Sequence, residues 1–175
     1  PRMWLDQGHL DMLNQAMNMQ TPQWLEFQSE CEDLLDEVHW GGACWGVPGT
    51  ALMYLMTGET AYLDRSVEFM HLALDEPSSG NDAGHGLYGY LGLGYDWLYN
   101  VMSPSDRTAI AQKMIHWSNH VWEEENGNGT VAYGQDTDHI IMTGSAHLMM
   151  GAALYGDVPE AVNMLDRAWW IWTRG

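Results

Sequence analysis

Lysine is nearly absent from this chain. Lys113 is the only one, and Lys and Arg together number 6 against 24 acidic residues, a formal charge of −18 over 175 residues. Phosphate backbones are held by clustered Lys and Arg that release counterions, so nucleic acid is excluded as a partner. The charge also argues against a polyanionic partner unless the site is locally basic or salt screens the surface. No apolar run approaches a membrane span, which leaves no membrane role. Two cysteines, Cys31 and Cys44, are too few for a disulfide framework; one bridge or two buried thiols both fit. Sustained period-two alternation is missing, so strands are not expected beyond short pairs. No leader or targeting segment stands out, and Pro1 reads as a start after processing or trimming.

What is abundant is helical pattern, tryptophan (ten) and methionine (thirteen). Trp24, Phe27, Cys31, Leu34 and Val38 step by three and four. So do Leu63, Val67, Met70 and Leu74; Ile110, Met114, Trp117 and Val121; and Val162, Leu165, Trp169 and Trp172. Each series reads as an apolar stripe on a helix with a polar opposite face. Segments 47–57, 84–99 and 139–155 differ: rich in Gly, Ala, Met and Tyr, they are apolar almost all round and must be covered on most sides. They alternate with amphipathic segments 61–74, 104–124 and 158–173. Gly58 and Gly156 read as helix-ending glycines. Ser103-Pro104-Ser105-Asp106 reads as an N-cap, a first-turn proline and a first-turn acid. The reading is one all-α domain, 1–175, of repeated antiparallel helical hairpins. It closes as an open solenoid or as part of an α/α toroid, an incomplete barrel.

In either closure the covered helices run parallel, and the loops entering them share one rim. Loop 38–46 brings His39, Trp40 and Trp45; loop 79–86 brings Asn81, Asp82 and His85; loop 133–139 brings Tyr133, Gln135, Asp136, Asp138 and His139. Aromatic planes stack on sugar rings while amides and carboxylates read hydroxyls, so such a rim fits a carbohydrate cleft. Each residue has an ordinary alternative. The aspartates fit helix N-termini, the histidines capping or core positions, and the tryptophans packing. A metal site of His39, His85, His139 and an acid gains no support from their spacing, and no cofactor is expected. The methionines read as gap-filling core. Trp169, Trp170 and Trp172 crowd the last helix with nothing after them to cover it, so the expectation is either a partial chain or self-association through this aromatic helix.

Three stretches carry a family likeness. Pro1-Arg2-Met3-Trp4-Leu5 precedes a short polar helix. Gly92-Leu93-Gly94-Tyr95-Asp96-Trp97-Leu98-Tyr99 leads into Met102-Ser103-Pro104-Ser105-Asp106-Arg107. Asp138-His139 opens the segment that runs to Gly156-Asp157. Together they resemble the heparinase II/III and alginate lyase group, over the whole chain but only about half of a usual toroid. The resemblance implies a secreted or periplasmic polysaccharide lyase that cleaves acidic, uronate-containing glycans by β-elimination. Position by position it implies His139 as the family's histidine; the rim reading adds His85 and Tyr133 as catalytic candidates and Trp40, Trp45, Asn81, Asp82, Gln135 and Asp138 as substrate-binding residues. Asp138 stands where the group usually has asparagine, and an ionised aspartate repels a uronate carboxylate. The alternatives are a non-catalytic carbohydrate-binding toroid relative and a self-assembling structural helical-repeat protein.

Overall fold

The computed structural model describes residues 3, 5–36, 40–75, 84–126 and 137–174. Within these, the side chains of 40–45, 74, 75, 84–88, 124–126, 137–141 and 174 lie outside the description. The described residues form eight helices and no strand: α1 (Gln7–Asn18), α2 (Pro22–Asp36), α3 (Trp40–Thr57), α4 (Thr60–Asp75), α5 (Gly84–Leu98), α6 (Pro104–Asn126), α7 (Thr137–Leu154) and α8 (Ala161–Arg174). The all-α class and the alternation of helix types match the sequence reading.

The caps follow the local chemistry. Ser103 Oγ accepts from the Asp106 main-chain N–H at 3.1 Å, and Pro104 opens α6 where its missing N–H costs nothing. Gly58 and Gly156 take φ of +74° and +91°, left-handed positions that end α3 and the α7 turn. Asp6 caps α1 by accepting from the His9 N–H at 2.9 Å.

Three covered helices form one layer. α5 packs against both α3 and α7, which share no substantial contact of their own; α4 packs on α3 and α8 on α7, with α6 between α4 and α8. Among the described side chains of α3, α5 and α7, only Leu148 is exposed, and residues 91–96 of α5 are buried without interruption. Direction follows from close approaches. Gly89 faces Ala146, and Gly92 faces the main chain at Met149 and Met150, so α5 and α7 run parallel. Gly144 meets Trp172 and Ile171 while Gly151 meets Leu165 and Met164, so α8 returns antiparallel to α7. Ser66 Oγ donates to the Val47 carbonyl at 3.1 Å, and Gly46 meets Phe69, so α4 returns antiparallel to α3.

The main core gathers Phe69, Met70, Leu91, Leu98, Ile110, Met114, Met150, Leu154 and Met164; a smaller one joins Trp24, Cys31, Met53, Met56 and Tyr62. The predicted α6 stripe, Ile110, Met114, Trp117 and Val121, is buried throughout. The methionines largely serve as core, as their spacing implied.

Two expectations need correction. Residues 40–46 belong to α3 and are not a loop, so Trp40 and Trp45 sit on helical backbone. Glycine costs a helix roughly 1 kcal/mol each, but Gly46 lets the Phe69 ring lie directly against α3, and packing outweighs propensity. The face of α8 opposite its assigned stripe is also apolar and not polar as read, while the tryptophans of the stripe stay uncovered as expected. Val162, Trp169 and Trp172 are 49%, 70% and 46% exposed, whereas Ala161, Met164, Ala168 and Ile171 are buried. α8 carries two apolar stripes, and both reach the glycines of α7: Ile171 and Trp172 meet Gly144, and Met164 and Leu165 meet Gly151. Cys31 is a free buried thiol, which removes the Cys31–Cys44 bridge.

The amino-terminal segment is tied to the end of α5. The Met3 N–H donates to Asp96 Oδ2 at 2.9 Å, and Trp97 Nε1 donates to the Met3 carbonyl at 2.9 Å. Asp96 and Trp97 of the Tyr-Asp-Trp-Leu-Tyr stretch thus hold this segment in place.

Candidate functional site

The rim expected to carry function lies at the N-terminal ends of the covered helices. His85 is the second residue of α5, and Asp138 and His139 are the second and third of α7. Gly89 pairs with Ala146 and Gly92 with Met149, a constant offset of 57. Position 85 is therefore level with position 142, three residues from His139. At about 1.5 Å rise per residue the two backbone positions differ by about 4.5 Å in height. Parallel packing of α5 and α7 brings His85 and His139, 54 residues apart in sequence, to one end of the layer. Their side chains, and those of Trp40, Trp45 and Asp138, lie outside the description. His39, Asn81, Asp82, Tyr133, Gln135 and Asp136 lie outside the described residues altogether.

At the opposite end the side chains are described, and they form a groove of about 310 Å³ lined by Tyr95, Tyr99, Arg107, Gln112, Ile115 and Asp157. Arg107 stacks on the Tyr99 ring, 4.7 Å from its centroid, and donates to the Tyr99 carbonyl at 3.3 Å. The Tyr99 hydroxyl donates to Asp157 Oδ1 at 3.4 Å. From His85 to Tyr99 α5 climbs 14 residues, about 21 Å, so this groove is separate from the rim. Arg107 and Tyr99 were legible only as helix-end signals, since nothing in their spacing marks a groove.

Other polar clusters are structural. His71 Nε2 lies 2.9 Å from Asp106 Oδ1, and Ser103 Oγ donates to Asp106 Oδ2 at 2.6 Å, joining α4 to the start of α6. The Ser103 hydroxyl and the His71 ring hold the Asp106 carboxyl below the usual carboxylate range. Arg65 donates from Nε to the Leu34 carbonyl at 2.9 Å and from Nη1 to Glu68 at 2.7 Å while covering the Phe69 ring. His147 is fully buried, with Nδ1 2.9 Å from the Thr143 carbonyl and its ring against Trp117. Among the described residues no group of three or more His, Cys, Asp or Glu is placed to hold a metal ion, and no helix is long and apolar enough to cross a membrane. One pair escaped the sequence reading: His116 and His120, four residues apart on α6, stack with centroids 6.4 Å apart.

No protein-family model matches the chain, and no curated protein matches it in sequence.

Proposed function

We propose that this chain is a polysaccharide lyase-like domain, part of an α/α toroid, acting on acidic, uronate-containing glycans by β-elimination. The observation that carries the proposal is the parallel register of α5 and α7, which sets His85 and His139 at one end of the covered layer within one helical turn in height. In the reaction a base takes the C5 proton of the uronate. The resulting enolate-like charge expels the C4 oxygen, and an acid protonates that oxygen as it leaves. His139 is assigned to carboxylate binding or proton removal, Tyr133 to proton donation, and His85 to the same cleft. Trp40, Trp45, Asn81, Asp82, Gln135 and Asp138 are assigned to sugar contacts. Positioned proton transfer contributes about 10²–10⁴-fold, and preorganised donors for the developing charge contribute further.

The test is the ultraviolet absorbance of unsaturated uronate product when the full chain meets uronate polymers of several classes. His139→Ala should lower turnover by about two orders of magnitude while the fold is retained. Asp138→Asn, restoring the amide of the resembled group, should raise it. Saturable glycan binding without product would move the assignment to a non-catalytic relative. Neither product nor binding would leave the structural reading, which the exposed Trp169 and Trp172 favour as an assembly surface.

A further inference from the structure

His116 and His120 stand one turn apart on α6, spacing that places two side chains side by side. Their rings are stacked with planes inclined by 15° and centroids 6.4 Å apart. His116 is exposed and His120 half-buried. The helix beneath them is fixed on its other faces. Trp117 packs on His147, Arg167 Nη1 donates to Ser118 Oγ at 2.8 Å, and Trp122 meets Trp170 edge-on at 5.3 Å. α6 therefore cannot roll to bury the pair.

We propose that His116 and His120 form a two-nitrogen chelate for a borderline divalent cation of the zinc, nickel or copper class. Imidazole suits these ions, whereas calcium and magnesium take oxygen ligands. A metal about 2.0–2.1 Å from each nitrogen sets two adjacent ligand atoms about 3 Å apart. Ligand atoms on side chains one helical turn apart can span that separation on an unchanged helix. Water completes the coordination shell, so the ion is exchangeable. The charge of −18 draws cations of every kind to the surface, and the imidazole pair supplies the selection among them. Both nitrogens converge only while this turn is helical, so the ion stabilises the folded α6 by linkage and stiffens the wall between α4 and α8.

The test uses the intact chain with nickel chloride, read by calorimetry and by thermal unfolding. Wild type should show one equivalent of tighter sites and a rise in Tm of a few degrees. His116→Ala and His120→Ala should each weaken that class roughly tenfold or more and abolish the rise. His9→Ala, an exposed histidine on α1, should retain both. Calcium chloride at the same concentration should give no comparable rise. Exposed His116 contributes nothing to the core, so unchanged circular dichroism in His116→Ala separates lost ligation from misfolding. Wild-type nickel affinity in either α6 variant, or an equal rise with calcium, would overturn the proposal.

Discussion

The close approach of α5 to α7 makes a quantitative prediction at Gly92. A Cβ added there would lie 2.8 Å from the carbonyl carbon and oxygen of Met149 and 2.9 Å from the Met150 nitrogen. These are main-chain atoms inside a helix, so no rotamer change relieves the overlap and the two helices must separate. Overpacking of this kind costs about 1–3 kcal/mol, and a rigid neighbour places it near the upper end. Alanine returns about 1 kcal/mol through its better helix propensity. Gly92→Ala should therefore lose about 2 kcal/mol net, or about 4–8 °C in Tm for a chain of this size. Gly49→Ala is the matched control. Its Cβ would meet only side-chain atoms, Cys31 Sγ at 3.3 Å and Leu34 Cδ1 at 3.8 Å, and a shift of a few tenths of an ångström relieves the contact, so the gain of about 1 kcal/mol in helix propensity should largely offset it. Urea unfolding followed by far-ultraviolet circular dichroism gives both midpoints at constant slope. If Gly92→Ala proved as stable as Gly49→Ala, the helices would not be in main-chain contact, and the parallel register behind the rim assignment would lose its support.

Ser103→Ala should cost about 1 kcal/mol, because Ser103 caps α6 and also donates to Asp106; chemical denaturation measures it. Asp106 has its folded pKa held down, so its stabilising contribution is present at neutral pH and is lost as pH falls below about 4 through the folded value. Asp106→Asn should flatten that acid limb of the stability curve. The Cys31 thiol is pushed up to about 12 by burial and then by Glu30 and Glu32. Against an ordinary value of 9.0, its thiolate fraction at neutral pH is about a thousandfold lower. In a Cys44→Ser background, Cys31 should accordingly react with a thiol reagent only on unfolding, and rapid native labelling would contradict its burial. Val162, Trp169 and Trp172 should support concentration-dependent association or binding of a hydrophobic dye by the isolated chain, and Trp169→Ser with Trp172→Ser should reduce it.

Periodicity was sufficient for the helices themselves, because caps and breakers such as Ser103-Pro104, Gly58 and Gly156 act within a few residues. It failed where distant residues decide the outcome. The propensity penalty of Gly41, Gly42 and Gly46 marked a loop, and the Phe69 ring that occupies the space at Gly46 comes from another helix. On α8 the large residues marked one apolar stripe and left Trp169 and Trp172 uncovered, as found, but the second stripe of Ala161, Met164, Ala168 and Ile171 carries smaller residues and was read as polar face. Parallel packing of covered helices was legible as topology, since alternating covered and amphipathic helices imply parallel neighbours, and the register of α5 on α7 agrees. Tyr99, Arg107 and Asp157 became a groove only through the meeting of the α5 end, α6 and the α7–α8 turn. The His116–His120 spacing was open to reading from sequence and needed only the helical period.

The tie between Met3 and α5 distributes evolutionary constraint unevenly between its two ends. Met3 contributes only main-chain groups to the two hydrogen bonds, an N–H to Asp96 and a carbonyl to Trp97. Its side chain adds general apolar contact with the core. Position 3 can therefore drift among apolar residues without breaking the tie, with proline barred because it has no N–H to give. Asp96 and Trp97 have no such freedom, since each supplies the side-chain atom that makes the bond. In diverged relatives the Asp-Trp pair should persist where the residue it holds does not, so the partner of a conserved pair would be invisible to any comparison of side chains.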